Sequence, residues 1–373
     1  MKISSLIQSI GGVQDPRRVM FGNIRHSLEA ILVIGLITYI CGGKDFADME
    51  TLGKSKQMWL LGFLNMPSGV PDSDTFRRVF ERINPDELSR ALNDWVLLSR
   101  QINAADIRNI AIDGKTARGS STDYRKAYHI VSAWASEHGI SLGQVVVDEK
   151  SNEITAIPQL LDILDIEGSV VTIDAMGCQR AIAAKIVEGK ADYCIALKAN
   201  QKNLYKEAVR IFKDIEDGNT EICLDHHQTQ ASRGSITEIR SIAVASAGLI
   251  KGHKKFANFQ TVVRVRLTII NKGQETTTQR YFITSLPPNA RRLSLIIKGH
   301  WSIEGVLHWY LDVSFEEDYS KAKKDNSPLN ANVLRKIALS LLLPKKQGRV
   351  SLQKMMFRAA MENEYLEMVL FGM

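Results

Sequence analysis

The stretch IRNIAID, residues 107–113, carries an apolar run up to a carboxylate and opens a series of strands and helices. AYHIVSAWAS (127–136) and ISLGQVVVDE (140–149) predict two further strands joined by a turn at 137–139. Helix and strand patterns then alternate in the order TAIPQLLDILD, SVVTIDA, CQRAIAAKIVE, DYCIALK and KNLYKEAVRIF. The order βββαβαβα predicts an α/β protein with a mixed sheet and helices packed on it.

The flanking sequence differs in pattern. Residues 1–104 predict a helical N-terminal domain, which suits DNA contact or a plain helical cap; the sequence Asn84-Pro85-Asp86-Glu87 is a strong helix start. Strand-like runs between 218 and 289 predict a β-rich insertion. RRLSLIIKGHWSIEGVLHWYLDV returns to a helical pattern. We therefore predict a core at 105–217 that resumes at 290–373, where a basic segment ends the chain.

Composition excludes several classes of protein. The 373 residues allow two or three domains, and the 45% hydrophobic and 24% charged content excludes disordered and collagen-like chains. Four scattered cysteines without a CxxC pair exclude a disulfide framework or a cysteine zinc site. We expect a cytoplasmic protein without a signal peptide or a membrane span, because the most apolar run, 28–41, is too short to cross a bilayer.

The positive charge is concentrated near the end of the chain. The formal net charge is +7, yet residues 319–360 alone hold ten basic residues and one acid. A concentrated basic segment indicates a polyanionic partner such as nucleic acid. A solvated tail is the plainer interpretation. Charge alone does not separate the two.

Two strands end on an aspartate. Asp113 follows NIAI and Asp174 follows VVTI, at the point where each apolar run stops. Either residue alone is also typical of a turn or a helix cap. If the sheet runs 3-2-1-4-5, however, the two carboxylates meet, and like charges that close require a cation. Oxygen ligands favour Mg²⁺ or Mn²⁺.

A third acid is expected from the helix that follows the insertion. Glu304 is the single acid in GHWSIEGVLHW, and an acid among apolar groups is costly unless it is paired or metal-bound. His300, Glu304 and His308 are spaced to share one helix face. That set also permits a zinc interpretation, although the histidines are eight apart rather than four as in HExxH.

The sequence resembles the H-repeat-associated DDE transposases of bacterial insertion sequences over nearly its whole length. The stretches that carry the resemblance are PSGVPDSDTFRRVF, IAIDGKTARGS, HIVSAWASEHGISLGQVVVDEKSNEITAIPQLLDILD, VVTIDAMGCQ, YCIALKANQ and KGHWSIEGVLHWYLDVSFEEDYSKAKKDNSPLN. The resemblance implies an RNase H-like core, whose three catalytic and metal-binding acids match Asp113, Asp174 and Glu304. The chain departs from the wider pattern Tyr-x2-Arg-x3-Glu-x6-Lys, because those positions hold Ile297, His300 and Leu311 around Glu304.

The activity implied by the resemblance is Mg²⁺-dependent cleavage and strand transfer at the ends of a DNA element. Two Mg²⁺ or Mn²⁺ ions would be held by the three acids. The partners would be double-stranded DNA, as element ends and target, and a second copy of the chain in the DNA complex. We expect DNA contacts from Lys115, Arg118, Lys198, Asn200, Gln201, His300, His308, Lys321, Lys323 and Lys324.

Two other functions are compatible with the sequence. A decayed or domesticated element would keep the fold and the basic surface as a DNA-binding protein without turnover. A structure-specific nuclease of the same fold would cleave DNA without joining it. A nicking assay distinguishes the DNA-binding protein without turnover from a transposase. Strand-transfer products distinguish a transposase from the nuclease.

Overall fold

The computed structural model describes residues 2–17, 24–147, 153–218, 224–232, 235–246, 249–250 and 255–372. The chain forms two compact units, each assembled from segments distant in sequence. Unit 1 comprises residues 1–106, 114–150 and 304–373, and unit 2 comprises 107–113 and 151–303. This division differs from the boundaries at 104, 217 and 289, which rest on changes of sequence pattern alone.

Fourteen α-helices fall in the described residues, and none is long and apolar enough to cross a membrane. They are α1 (Lys2–Ile10), α2 (Leu28–Ile40), α3 (Phe46–Ser55), α4 (Gln57–Leu60), α5 (Ser73–Phe80), α6 (Pro85–Ser99), α7 (Glu153–Asp162), α8 (Arg180–Glu188), α9 (Lys202–Glu216), α10 (Ala290–Ser302), α11 (Trp309–Val313), α12 (Ser327–Leu342), α13 (Leu352–Met361) and α14 (Asn363–Phe371).

The start of α6 confirms the predicted helix signal. Asn84 Oδ1 accepts hydrogen bonds from the backbone N–H of Asp86 at 2.9 Å and of Glu87 at 3.4 Å, and Pro85 is the first helical residue. The Glu87 carboxylate does not complete a capping box. It accepts instead from the backbone N–H of Gln14 at 3.0 Å, so it joins the preceding segment to α6.

Helix α12 forms the centre of unit 1. All of its residues are buried, and it packs against α2 and α6. The Asn330 amide donates to the carbonyls of Phe80 at 2.8 Å and Ile83 at 3.0 Å. The helical N-terminal segment therefore shares a core with the C-terminal helices. Part of the predicted basic segment is core, since Arg335 and Lys336 lie on this helix.

The strands are β1 (Asn109–Thr116), β2 (His129–Ala135), β3 (Ile140–Val147), β4 (Val170–Ile173), β5 (Asp192–Leu197), β6 (Leu224–Ser232), β7 (Ser235–Ala245), β8 (Thr261–Asn271) and β9 (Gln274–Thr284). In unit 2 their order is β1-β4-β5-β9-β8-β7-β6. The β1–β4 and β4–β5 pairs are parallel and the others are antiparallel. The mixed sheet and the element order βββαβαβα are present as predicted.

In unit 1, β2 and β3 form an antiparallel hairpin. Its turn ends at Gly139, whose φ of +64° is the left-handed conformation that glycine adopts without steric cost. The chain just beyond β1 runs beside β2, because the Ala117 N–H donates to the Tyr128 carbonyl at 2.9 Å. Within unit 1 the chain after β1 therefore lies beside β2, and within unit 2 β4 lies between β1 and β5.

The predicted β-rich insertion continues the sheet of unit 2. Its last strand, β9, pairs with β5 from Cys194↔Thr284 to Leu197↔Tyr281. Strand β6 was not predicted, because LDHHQTQAS lacks the alternation of apolar and polar residues that marks a half-buried strand.

The helix predicted over 291–313 is interrupted. Helix α10 ends at Ser302, residues Ile303–His308 form a π-helical turn, and α11 follows. The prediction that His300, Glu304 and His308 share one face assumed an uninterrupted α-helix, and the π-helical turn changes the residue spacing on which it rested. His300 is buried in unit 2, whereas in unit 1 Glu304 is exposed and His308 is half-buried.

Candidate functional site

Two carboxylates lie where the pairing of β1 with β4 ends in unit 2. Asp174 directly follows β4, but Asp113 lies within β1, which continues to Thr116, so the predicted strand end at Asp113 is wrong. The pairing of β1 with β4 matches Ile112 to Ile173, and each of these residues is followed directly by an aspartate. Adjacent strands lie about 4.8 Å apart, which brings Asp113 and Asp174 close together. Both residues are half-buried. This geometry is what the strand order predicted from the sequence.

The loop after β4 orients the Asp174 carboxylate. Its Oδ1 accepts hydrogen bonds from the backbone N–H of Met176 at 2.9 Å and of Gly177 at 3.4 Å. The loop is tight at Gly177, where an added Cβ would overlap the side chain of Ile173. The turn interpretation of this aspartate is therefore correct as local structure, and it fixes the direction of the carboxylate.

Two predicted DNA contacts support this same loop. The side-chain amide of Asn200 donates to the Ala175 carbonyl at 2.5 Å, and that of Gln201 donates to the Cys178 carbonyl at 2.7 Å. Both residues follow β5, the strand beside β4. Their amide groups therefore hold the backbone on the C-terminal side of Asp174.

His300 lies behind the carboxylate pair and not at a surface. It is 6% exposed, and its Nδ1 lies 3.0 Å from Thr172 Oγ1, two residues before Asp174 on β4. Burial lowers the pKa of His300 to about 4, although the charge of Asp174 opposes that shift. A neutral, buried imidazole is a poor phosphate donor, so the predicted DNA contact is replaced by packing against β4.

Three of the cysteines are core residues. Cys41, Cys178 and Cys194 are free and buried, and burial raises the pKa of each thiol to about 12. These thiols are therefore not nucleophiles at neutral pH. The fourth, Cys223, lies outside the described residues.

In unit 1, Lys115 belongs to an internal ion network. Its Nζ lies 2.8 Å from Asp312 Oδ1 and 2.9 Å from Glu317 Oε2, and its side chain is 11% exposed. Burial lowers its pKa, but the two carboxylates outweigh burial and raise it overall. The predicted phosphate contact gives way to these ion pairs, which join the end of β1 to the segment after α11.

Glu317 is the centre of this network and was missed from the sequence. It is 2% exposed, and its Oε1 accepts a hydrogen bond from Asn332 Nδ2 at 2.5 Å. Burial raises its pKa, yet Lys115 and Arg335 more than compensate and bring it to about 2. The sequence signal is weak, since SFEEDYS reads as a surface run of acids. Its partners are distant in the chain.

Two further titratable groups of unit 1 have a lowered pKa. Burial lowers the pKa of Lys336 to about 7, and its Nζ donates to Ser132 Oγ and Gln144 Oε1, each at 2.7 Å. Burial, followed by the nearby charge of Lys336, lowers the pKa of His308 to about 3. His308 is therefore neutral near pH 7, which weakens its predicted role as a phosphate donor.

The remaining predicted DNA contacts are exposed. In unit 2, Lys198 follows β5. In unit 1, Lys321 lies 2.9 Å from Asp45 and Lys324 lies 3.5 Å from Glu81, so both lysines are partly neutralised. Arg118 and Lys323 are the other two exposed residues predicted to contact DNA. The Arg125 side chain donates a hydrogen bond to the Lys323 carbonyl at 2.7 Å.

The two aspartate carboxylates are the groups of this site that could bind a metal ion. Asp113 and Asp174 supply the oxygen ligands that Mg²⁺ takes from proteins, which are often one or two carboxylates completed by water and substrate phosphate. Within the parts of the chain that the structure describes, no group of three or more His, Cys, Asp or Glu side chains is placed to hold a metal. The aspartate pair fits a divalent cation.

Comparison with known families gives the class of protein. Residues 104–341 match the family model described as Transposase DDE domain, and residues 7–96 match the model described as DDE_Tnp_1-associated. Since the first match covers more than half of the chain, this is a DDE transposase by family. Together with its relatives, these matches show that the chain belongs to the H-repeat-associated transposases.

Three curated relatives extend over nearly the full chain. "Putative transposase YncI" of Escherichia coli O157:H7 is 33% identical over 99% of this chain and 95% of its own. "Putative protein YbfL" of Escherichia coli K12 is 34% identical over 100% and 99%. "H repeat-associated putative transposase YhhI" of the same strain is 34% identical over 100% and 99%.

Proposed function

We propose that this transposase cleaves phosphodiester bonds at the ends of a DNA element and joins them to target DNA, with Asp113, Asp174 and Glu304 as its catalytic acids. The observation that carries the proposal is the pair of aspartates that follow matched residues of β1 and β4. The antiparallel pair β2–β3 and the parallel pairs β1–β4 and β4–β5 also support an RNase H-like core. The chain would act on chromosomal DNA in the cytoplasm, as a homodimer when bound to two ends.

Asp174 and Glu304 have different structural settings. Asp174 is oriented by the backbone N–H groups of its own loop, and Asn200 and Gln201 brace that loop. Glu304 is the second residue of the π-helical turn, a local irregularity that is often found at functional sites. Its exposed side chain is free of the packing constraints of an α-helical core position.

The aspartate pair would hold a divalent cation, Mg²⁺ or Mn²⁺, and two such ions are expected from the family resemblance. Such an ion supplies Lewis-acid stabilisation of the charge that develops on phosphate oxygens. The protein's own part is to fix the two carboxylates at one sheet edge and to exclude other nucleophiles. Within the described residues the nearby thiols are protonated, so a water or a DNA 3′-hydroxyl is the attacking group.

The test is a nicking and strand-transfer assay on plasmid DNA that carries the element ends. Asp113→Asn, Asp174→Asn and Glu304→Gln should each lower the cleavage rate at least about a hundredfold, because several kcal/mol of transition-state stabilisation is lost. Glu188→Gln is the matched control, since Glu188 is an exposed acid of unit 2 away from β1 and β4.

The outcomes separate the alternatives. Cleavage at the control rate by both aspartate variants would refute the assignment of the acids. Cleavage without joined products would indicate a structure-specific nuclease. Binding to the element ends without cleavage by the intact chain would indicate a DNA-binding protein that has lost turnover.

A further inference from the structure

A basic cleft lies in unit 1, between the segment before α2 and helix α5. Its volume is about 750 Å³. Its charged and polar lining consists mainly of Arg17, Arg25, His26, Asp72, Arg78 and Arg82. All of these residues fall within the part of the chain that matches the transposase-associated family model, whose description gives no activity.

Asp72 is the acid among the described lining residues, and its pKa is lowered first by its hydrogen bonds with Thr75 and then by the nearby charge of Arg78. Asp72 caps α5, because its Oδ1 accepts the backbone N–H of Thr75 at 2.6 Å. Arg17 is committed to the wall, since it pairs with Asp15 at 2.6 Å and donates to the His26 carbonyl at 2.8 Å. Arg17 and Asp72 therefore have structural roles in the walls of the cleft.

The other three arginines are available to a ligand. Arg25 and Arg82 are exposed and have no hydrogen bond or ion pair within the described residues. Arg78 is 64% exposed and lies 3.6 Å from Asp74, a loose contact. Guanidinium groups that converge on a concave surface repel one another, and they bind phosphate through paired N–H donors. A cleft lined mainly by positive charge also concentrates its field.

On the opposite side of α5, most of the basic side chains are paired with acids. Arg77 faces a second groove together with Lys321, Lys323 and Lys324. There Arg77 pairs with Glu81 at 2.8 Å, and two of the three lysines pair with acids. The uncompensated charge of this region therefore lies in the arginine cleft and not in the lysine segment that the sequence singled out.

We propose that the arginine cleft binds the phosphate backbone of duplex DNA at the element end, with Arg25, Arg78 and Arg82 on successive phosphates. The inference rests on the proposed function, because DNA is the polyanion that a transposase handles. It adds a second contact region, distinct from the carboxylate pair, that contributes affinity without reading sequence.

The experiment measures the salt dependence of binding by the full-length chain to a labelled duplex that carries the element end, in EDTA. Each phosphate contact contributes about 0.9 to the slope of log affinity against log salt. Arg25→Gln and Arg82→Gln should each flatten the slope by about 1, and the double variant by about 2. Arg90→Gln, an exposed arginine on α6 outside the cleft, should leave it unchanged.

Equal slopes for the cleft variants, Arg90→Gln and the unaltered chain would overturn the inference. A second result would also overturn the inference: inorganic phosphate competes for the cleft, and Arg82→Gln abolishes that competition without changing the slope with DNA. The cleft would then bind only a small anion. Circular dichroism checks folding, which exposed side chains should not affect. Because EDTA removes cleavage from the measurement, a flattened slope supports the cleft even if the chain proves unable to cleave.

Discussion

Lys336 shows how far a residue's environment can depart from its type. A lysine on a helix inside a basic segment was expected to face solvent or DNA, yet it is 3% exposed and donates to Ser132 and Gln144. Its folded-state pKa of about 7 lies well below the ordinary value of 10.5. The cause is burial, which disfavours the charged form.

This shift predicts the pH dependence of stability. Between pH 7 and 10 the unfolded chain binds more protons at Lys336 than the folded chain does, so the free energy of unfolding should rise with pH. Lys336→Met should remove that part of the rise. Urea unfolding at pH 7 and pH 9 for both proteins is the measurement. An equal rise in the variant would contradict the burial of the ammonium group.

The aspartates, by contrast, could be predicted residue by residue. Asp113 and Asp174 each follow an apolar run, a signal contained within seven residues of sequence. The settings of Lys115 and His300 could not be predicted. Lys115 pairs with Glu317, some two hundred residues away, and His300 contacts Thr172 across more than a hundred. Burial by distant partners leaves no local pattern.

At the scale of elements, the ion network at Glu317 joins the loop after β1 to the segment after α11. The two backbones also touch directly, since a Cβ on Gly119 would overlap the Glu317 carbonyl. The network therefore fixes the region just downstream of the π-helical turn that carries Glu304. This connection lies entirely within unit 1.

Glu317→Gln should destabilise the chain by about 3–5 kcal/mol, because it leaves Lys115 and Arg335 without their buried anion. The folded-state pKa of Glu317 lies below its ordinary 4.5, so its stabilising effect is present above pH 4.5 and is lost as pH falls towards 2. Chemical denaturation at pH 7 measures the loss. Glu316→Gln, an exposed neighbour, is the control. Similar losses for both variants would contradict the internal network.

The π-helical turn makes a separate prediction at Gly305. A Cβ added there meets nothing within 4 Å, and the residue is helical with no positive φ. Gly305→Ala should therefore stabilise the chain by about 0.5–1 kcal/mol, since alanine has less backbone freedom to lose. Thermal unfolding checks the sign. Destabilisation would indicate that the turn must open or change conformation in the native protein.

Elements differ in how much of them sequence pattern reveals. Strands β1 to β5 and their helices follow clear apolar periodicity and were predicted in the correct order. The π-helical turn was missed because one helix and two helices joined by such a turn have nearly the same apolar spacing. Strand β6 was missed because its side chains are mostly polar, so nothing in its pattern separates it from a loop.

At the scale of the whole molecule, sequence pattern gave the class of fold but not its division. The helical start, the mixed sheet and the return to helix are all present. The compact units nevertheless combine segments far apart in the chain, and α12 is wholly internal. Charge counted along the sequence therefore overstated the basic surface, because Arg335 and Lys336 belong to the core. Only three-dimensional neighbours decide which charges remain at the surface.

Because β5 pairs with β9, one edge of β5 stays unpaired while the chain is being synthesised. Strand β5 leaves the ribosome long before residues 281–284, which complete its second edge. During that interval β5 presents unpaired N–H and C=O groups, and such an edge recruits other strands. A chain truncated anywhere between 198 and 280 keeps that edge permanently. Loss of the distal coding sequence would thus produce an aggregation-prone protein, even though every residue of the aspartate pair had been translated.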